Sequence, residues 1–376
     1  MRAGTFVYPW DVVGDPAAPD LLADLGVAQV TLASAYHSTR ALTPRHPGHR
    51  IVTAEHAAVL YPPDETRWSG RALRPYEAGE WAPGDAYGEA SGALAAAGLE
   101  VHSWVVLAHN SRLGAEHPGT SVVNAYGDRY PWAPCIARPD VRAHLVDLAV
   151  EAAVRPGAAG TELESCGWYG LAHLHAHDKT AGVGLGDREQ YLMSLCFCPS
   201  CQEGYGEEGV DPDALAAAVR GALAPVWAGG AVGPLDGFAD AALAWRTRTA
   251  RALQESAVAA VRAAAPPGFR VLLHADPHPY RCGANVGTDP AHVLALADGV
   301  VTPAATVAPF AAHAAPDTVV AANFPVVTGM GGSPSTLIED AKRAASEGAT
   351  ELRLYHAGLA SNSDLAAVRE ALRALG

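Results

Sequence analysis

The sequence has very few lysines, no long apolar run and no recognisable leader. Of its 26 basic residues only Lys179 and Lys342 are lysines, a bias to which we attach no function. The formal net charge of -14 argues against nucleic acid and anionic membranes as partners. No uncharged apolar stretch of about 18 residues appears, so we expect no membrane-spanning helix. The first eleven residues lack a signal-peptide pattern, so we predict a cytoplasmic protein.

Sequence motifs of several other enzyme classes are also missing. No Gly-x-Gly-x-x-Gly follows the first apolar run, which removes the main support for a dinucleotide-binding fold. We find no serine nucleophile elbow and no phosphate loop. The chemistry must therefore be sought in carboxylates, histidines and cysteines.

The chain has 376 residues, of which 49% are hydrophobic, enough for one large core. Short apolar runs alternate with helical patterns, which indicates a parallel sheet. Eight such units in a chain of this size predict a closed (β/α)8 barrel that occupies residues 1–376 as one domain. The predicted strands are 4–9, 28–33, 100–107, 160–164, 269–275, 299–303, 318–324 and 350–355.

Helix signals agree with this rhythm. Ser361 and Ser333 are both expected to begin helices, since serine often caps a helix N-terminus. The main predicted helices are 20–25, 86–97, 140–154, 238–264 and 364–375. Two long segments, 36–81 after the second strand and 165–237 after the fourth, interrupt the pattern. Loops of this length in a compact domain usually carry function, and both lie on the barrel face where active sites are found.

Three of the six cysteines form the cluster Cys196-Phe-Cys198-Pro-Ser-Cys201. In a cytosolic chain, such spacing is more typical of metal binding than of disulfides. Structural zinc usually has four protein ligands, so a fourth must come from elsewhere. We favour Cys135, which is predicted to open the helix after the third-strand loop. Cys166 and the histidines His173, His175 and His177 are the competing ligands.

These cysteines resemble the zinc site of family 42 β-galactosidases and related barrels. Those proteins have one cysteine before a Pro-x-x-Arg stretch, matched here by Cys135 with Pro139 and Arg142, and three more after the fourth strand. The eighth strand, with Tyr355, Gly358 and Leu359, also looks like theirs. The resemblance implies a barrel with a structural zinc site of four cysteine ligands and a carbohydrate substrate.

The resemblance also implies that Glu164, at the end of the fourth strand, is the general acid/base. At the end of the seventh strand, where those galactosidases carry a nucleophilic glutamate, this chain has Asn323. A second carboxylate is therefore sought elsewhere, because glycoside hydrolysis generally uses two. Asp276, after the fifth strand, is our candidate. Glu162 shares a strand face with Glu164, and we expect both to point inward, with Glu164 nearer the rim.

Other polar and aromatic residues follow the predicted strands and would suit a sugar, which has apolar ring faces and many hydroxyls. We predict as substrate-binding residues Tyr8, Trp10, Tyr36, His37, His109, Trp168, Tyr169, His274, His278, Asn323, Tyr355 and His356.

The leading interpretation is a glycoside hydrolase that acts on a small-molecule or oligosaccharide substrate. One alternative is a metal-dependent isomerase or lyase that uses Glu164, His274, Asp276 and His278. The other is a non-catalytic carbohydrate-binding barrel, since the seventh strand lacks its carboxylate. The sequence leaves the oligomeric state open, a homo-oligomer included.

Overall fold

The computed structural model describes residues 1–173 and 178–376. Eight parallel strands close into a barrel, because the first strand pairs with both the second and the last. In chain order these strands are β1 (Arg2–Val7), β2 (Gln29–Tyr36), β3 (Glu100–Val106), β4 (Gly160–Glu164), β5 (Arg270–Asp276), β6 (Gly299–Pro303), β7 (Val319–Pro325) and β8 (Glu351–Tyr355). The predicted fold class is confirmed.

The barrel strands are buried along almost their whole length, as expected of a parallel sheet covered by helices on one side and filled on the other. This burial explains why most of the strands are apolar runs, whereas β4 and β8 alternate apolar residues with buried charged ones. The predicted bounds of β4 and β6 agree with the structure, and the others differ by a few residues at most.

Helices surround the barrel. They are α1 (Ala18–Asp24), α2 (Glu65–Trp68), α3 (Ala86–Ala96), α4 (Ser111–Glu116), α5 (Pro139–Ala153), α6 (Asp187–Met193), α7 (Pro199–Glu207), α8 (Pro212–Trp227), α9 (Ala239–Ala264), α10 (Pro290–Leu296), α11 (Val307–Ala311), α12 (Leu337–Ser346) and α13 (Asn362–Leu375). None of the described helices is both long and apolar enough to cross a membrane.

Of the two serines predicted to begin helices, Ser361 caps its helix and Ser333 does not. Ser361 caps α13, since its hydroxyl accepts from the Asp364 backbone N–H at 3.1 Å and the Asp364 carboxylate accepts from the Ser361 N–H. Ser333 precedes only a short 3-10 turn, Pro334–Thr336, and its side chain makes no capping bond. Helix α12 begins after this turn, at Leu337.

Both long loops contain structure of their own. After β2, the strands Thr39–Leu42 and Ile51–Ala54 form an antiparallel hairpin. The loop after β4 carries α6, α7 and α8 before the long helix α9. After β3, the short strands Ser121–Val123 and Arg129–Pro134 pair with each other. All of these additions lie at the carboxyl ends of the strands.

A buried polar network, which we call the polar floor (Gln29, Glu162 and Arg353), crosses the barrel interior. Arg353 donates to Glu162 at 2.6 Å and to Gln29 at 3.3 Å, and Gln29 donates to Glu162 at 3.0 Å. A Cβ at Gly4 would come within 3.3 Å of the Arg353 side chain, so glycine leaves room for the guanidinium there. The floor joins β2, β4 and β8.

Candidate active site

A cavity of about 590 Å³ opens at the carboxyl ends of the barrel strands. Strand-end residues Tyr36, Glu164, Asn323 and Tyr355 lie on its wall, together with residues of the loops that follow. This is the face of the barrel on which enzymes of this architecture carry their active sites. Of the residues predicted from the sequence, the lining includes Tyr8, Tyr36, His37, Glu164, His274, Asn323 and Tyr355.

Glu164 is the last residue of β4, and the residue is only 8% exposed. One carboxylate oxygen, Oε2, accepts a hydrogen bond from Trp104 Nε1 at 2.8 Å and lies 3.7 Å from His274 Nδ1. Among the described residues that line the cavity, Glu164 is the one carboxylate. The Glu164 carboxyl group is held by Trp104, and it can therefore give or accept a proton at a fixed position in the cavity.

Glu162, two residues earlier, points inward as predicted but belongs to the polar floor. Burial alone would raise the pKa of this carboxyl, but the Arg353 guanidinium, and His274 beside it, outweigh burial and lower the pKa well below the usual range. His274 Nε2 lies 3.5 Å from Glu162, so the imidazole stands between the two glutamates. Glu162 is thus an ion-pair partner of Arg353 inside the barrel.

Three tyrosines stand on the wall of the cavity. Tyr8 donates its hydroxyl hydrogen to the Tyr36 oxygen at 3.1 Å, and Tyr36 packs edge-on against Trp104 at 4.6 Å between ring centroids. Burial raises the pKa of Tyr8, Tyr36 and Tyr355 above the usual tyrosine value. Their phenols are therefore protonated at neutral pH and can exchange hydrogen bonds with sugar hydroxyls.

Asp276 is also buried, but the cavity lining does not include it. Its Oδ1 accepts from the backbone N–H of His278 and lies 2.8 Å from Nδ1 of the same residue. Its other oxygen lies 3.4 Å from Arg281 Nε. Asp276 thus binds the loop that follows β5.

Of the remaining predicted substrate-binding residues, His278 is exposed and outside the lining, and the others are buried and also outside it. Trp10 and His356 both lie against the Tyr8 ring, at centroid distances of 4.5 and 4.4 Å. Tyr169 stacks on His109 at 4.1 Å, and the Trp168 indole donates to a backbone carbonyl of α9. Trp10 and His356 thus contact Tyr8, a lining residue, without lining the cavity themselves.

Several lining residues were not identified from the sequence. Trp104 lies inside β3 rather than at its end, although strand alternation would have placed it on the inward side. Arg40, Asn285 and Met330 come from loops whose course the sequence does not reveal. Asn323, which was predicted, has a buried side-chain oxygen without a partner among the described residues.

The four cysteines chosen from the sequence come together. Cys135, Cys196, Cys198 and Cys201 are buried, and their sulfur atoms all lie within 4.8 Å of one another without a disulfide. Backbone N–H groups of Val123 and Cys198 point at the Cys196 sulfur at 3.4 Å, as they do around metal-bound thiolates. Cys135 follows the strand Arg129–Pro134 and precedes α5 by a few residues, instead of opening that helix.

Two of the competing ligands, Cys166 and His173, lie outside the cysteine cluster. His173 lies beside His37 and His109 instead. His175 and His177 lie outside the described residues. Within the described parts of the chain, Glu164, His274, Asp276 and His278 do not form a group that could hold one ion.

No protein-family model and no curated protein sequence matches the chain. Solved structures do. The α-L-fucosidase isoenzyme 2 from Paenibacillus thiaminolyticus matches with a TM-score of 0.60 at 12% identity, over 100% of this chain and 49% of that one. The glycoside hydrolase domain of PgaB (BpsB) from Bordetella bronchiseptica matches with a TM-score of 0.54 at 16% identity, over 99% of both chains.

A family 42 β-galactosidase from G. stearothermophilus matches with a TM-score of 0.54 at 12% identity. The match covers 100% of this chain and 56% of the galactosidase, so the chain spans about half the length of that enzyme and of the fucosidase. At these identities the comparisons establish the fold. The resemblance inferred from the cysteines and Glu164 is confirmed at that level: the barrel is of the kind found in glycoside hydrolases.

Proposed function

We propose that this chain is a glycoside hydrolase in which Glu164 is the general acid/base. The observation that carries the proposal is the position of its carboxyl group, held by the Trp104 indole at 2.8 Å at the end of β4 in an aromatic cavity. The structures to which the barrel is similar include glycoside hydrolases, which supports this reaction class. The substrate would be a saccharide, bound by tyrosines, Trp104 and Asn323.

In this reaction Glu164 would protonate the glycosidic oxygen as the bond to the sugar breaks. The second role, activation of water or attack on the sugar, stays open. Asp276 remains our predicted partner, but its bonds to His278 and Arg281 favour a role in shaping the loop after β5. Some glycosidases use a tyrosine or the substrate itself for the second role, and Tyr8, Tyr36 and Tyr355 all line the cavity.

The same observation favours one alternative, a carbohydrate-binding barrel without turnover. Only Glu164 contributes a carboxylate to the described lining, and Asn323 occupies the end of β7. Such a protein would keep the aromatic wall and its hydrogen-bonding groups for recognition. Binding without hydrolysis by the unmodified chain would favour this alternative.

The test combines binding and turnover. The chain is first screened for activity on chromogenic nitrophenyl α- and β-glycosides. Glu164→Gln is then assayed on the corresponding saccharides, because a sugar leaving group needs the proton of the general acid and nitrophenolate does not. Saccharide binding is followed by calorimetry. Glu164→Gln should lower kcat by about 100-fold or more while saccharide binding persists, because general acid catalysis contributes on this scale. Glu339→Gln, at an exposed position on α12, is the matched control. Full activity in Glu164→Gln would overturn the assignment.

We also propose that the four cysteines hold a structural zinc ion. Four buried sulfur atoms match the preference of zinc for tetrahedral thiolate sites, and N–H groups already point at one of them. The ion would join the loop after β3 to the loop after β4. Four thiolates leave no open position, so the zinc would not take part in the reaction. A cluster of reduced thiols is consistent with our prediction of a cytoplasmic protein.

A further inference from the structure

Three histidines from three different loops meet beside the cavity. His37 follows β2, His109 follows β3, and His173 lies in the loop after β4. Each offers a ring nitrogen, and these three atoms lie within 4.8 Å of one another. His37 and His173 also line the cavity. The neighbouring ends of successive barrel strands thus bring together imidazoles that are far apart in the sequence.

The ring spacing is suited to a shared ion. The centroids of His37 and His109 are 4.5 Å apart, those of His109 and His173 are 5.4 Å apart, and those of His37 and His173 are 6.1 Å apart. Three imidazoles on one tetrahedral ion, with metal–nitrogen distances of about 2.1 Å, have centroids about 5 Å apart. On such an ion the three nitrogens would be about 3.4 Å apart, so the side chains would have to move closer than the present spread, which is within 4.8 Å.

The three histidines differ in the partners of their ring nitrogens, and Nε2 of His173 lies 3.3 Å from the Tyr169 hydroxyl oxygen. His109 is 2% exposed, and its Nε2 is buried without a hydrogen-bond partner among the described residues. His37 Nδ1 lies 2.8 Å from the Ser38 carbonyl oxygen, which leaves its Nε2 for a ligand. A metal-binding histidine commonly donates its other N–H to a backbone carbonyl in this manner. A buried imidazole nitrogen without a partner is costly unless something binds it.

We propose that His37, His109 and His173 form a second metal site, for a divalent transition-metal ion such as Zn²⁺, at the edge of the cavity. Three protein ligands leave a coordination position for water or for a substrate oxygen, unlike the four cysteines. Because two of the histidines line the cavity, a saccharide hydroxyl can reach that position. This site does not depend on whether Glu164 is a catalytic acid, since the two assignments use different residues and different readouts.

The experiment counts ions and identifies their ligands. The full chain is dialysed against Zn²⁺, and bound metal is measured by mass spectrometry. The same protein is then loaded with Co²⁺, whose thiolate-to-metal charge-transfer bands mark the cysteine site and whose weaker ligand-field bands mark a nitrogen and oxygen site. The wild-type chain should bind about two ions, one of each spectral kind.

Two variants separate metal binding from packing. His109→Phe keeps a ring to stack on Tyr169, at 4.1 Å in the native chain, but removes both nitrogens. His173→Gln changes a side chain that is exposed, so it should leave folding unaffected. His313→Gln, also exposed but far from the cluster in sequence, is the matched control.

We expect His109→Phe to lose the second ion and His173→Gln to bind it at least tenfold more weakly, with unchanged circular dichroism. The control should bind both ions. The proposal is overturned if the wild-type chain binds only an ion with the thiolate spectrum, or if both variants keep the second ion at wild-type affinity. If His109→Phe does not fold, the result for His173→Gln decides alone.

Discussion

The Arg353 guanidinium donates to the Glu162 carboxylate at 2.6 Å inside the barrel, and both side chains are fully buried. Arg353 also donates to Glu351 at 2.8 Å, so removal of the Glu162 charge leaves the buried guanidinium with one carboxylate partner instead of two. Loss of one partner of a buried ion pair costs on the order of 3 kcal/mol. Glu162→Gln should therefore lower the free energy of unfolding by that amount in urea denaturation. The exposed pair of Arg248 and Glu207 gives the control, since Glu207→Gln should cost at most about 1 kcal/mol. Equal effects of the two substitutions would contradict this account of the floor.

Removing one ligand of the cysteine cluster should destabilise the chain. Cys201→Ser should abolish the thiolate-type Co²⁺ bands and lower stability by on the order of 4 kcal/mol, as loss of a structural metal does. Cys282→Ser is the control, because Cys282 is partly exposed and lies outside the cluster. Thermal unfolding with and without a chelator measures both. A chelator that leaves the wild-type Tm unchanged would argue against bound zinc.

Asp11 should make stability depend on pH. Burial raises its pKa from 3.8 to about 7, although the Tyr8 N–H and Arg45 oppose the shift. His356, whose Nδ1 is 4.0 Å away, stays neutral because burial lowers its pKa to about 3. The folded state thus binds the Asp11 proton more tightly than the unfolded state. The stability that this proton confers is complete below pH 3.8 and is lost as the pH rises towards 7.

Asp11→Asn isolates this contribution, because the amide keeps an acceptor for the Tyr8 N–H but does not titrate. The stability of the wild-type chain relative to the variant should fall between pH 4 and pH 7 by up to about 4 kcal/mol. Urea denaturation at several pH values measures the difference. A difference that is constant with pH would show that Asp11 is ionised throughout.

The two serines expected to begin helices should respond differently to substitution. Ser361→Ala removes the bond to the Asp364 N–H and should cost about 1 kcal/mol. Ser333→Ala removes no capping bond and should stay within about 0.5 kcal/mol of the wild type. Thermal denaturation of the two variants, side by side, is sufficient to compare them.

The sequence predicts the barrel well, because most strands are short runs rich in hydrophobic residues that alternate with helical patterns, although β4 and β8 carry charged residues that turn out to be buried. The sequence also predicts that the four cysteines come together, since cysteines at this spacing are typical of a metal site. It cannot separate the environments of Glu162 and Glu164. Both face inward, but only the arrival of Arg353 from β8 makes the first a structural ion, and that residue is distant in sequence.

The sequence likewise does not reveal which loop residues come together in space. His37, His109 and His173 were each identified singly, or as part of a polar segment, and their meeting depends on loop paths after three strands. The same holds for Asp276, whose proximity to Arg281 and His278 is set by the turn after β5. The sequence pattern identifies the residues that lie close to strand ends, but it does not identify the residues that they contact.

The polar floor has a consequence for synthesis on the ribosome. Glu162 and Gln29 are made early, whereas Arg353 lies in the last barrel strand. Until β8 emerges, a nascent barrel would have a gap beside β1 and an uncompensated carboxylate in its interior. Closure of the barrel therefore stabilises an incomplete chain very little. The barrel becomes stable in one late step, when β8 supplies both the missing strand and the Arg353 guanidinium.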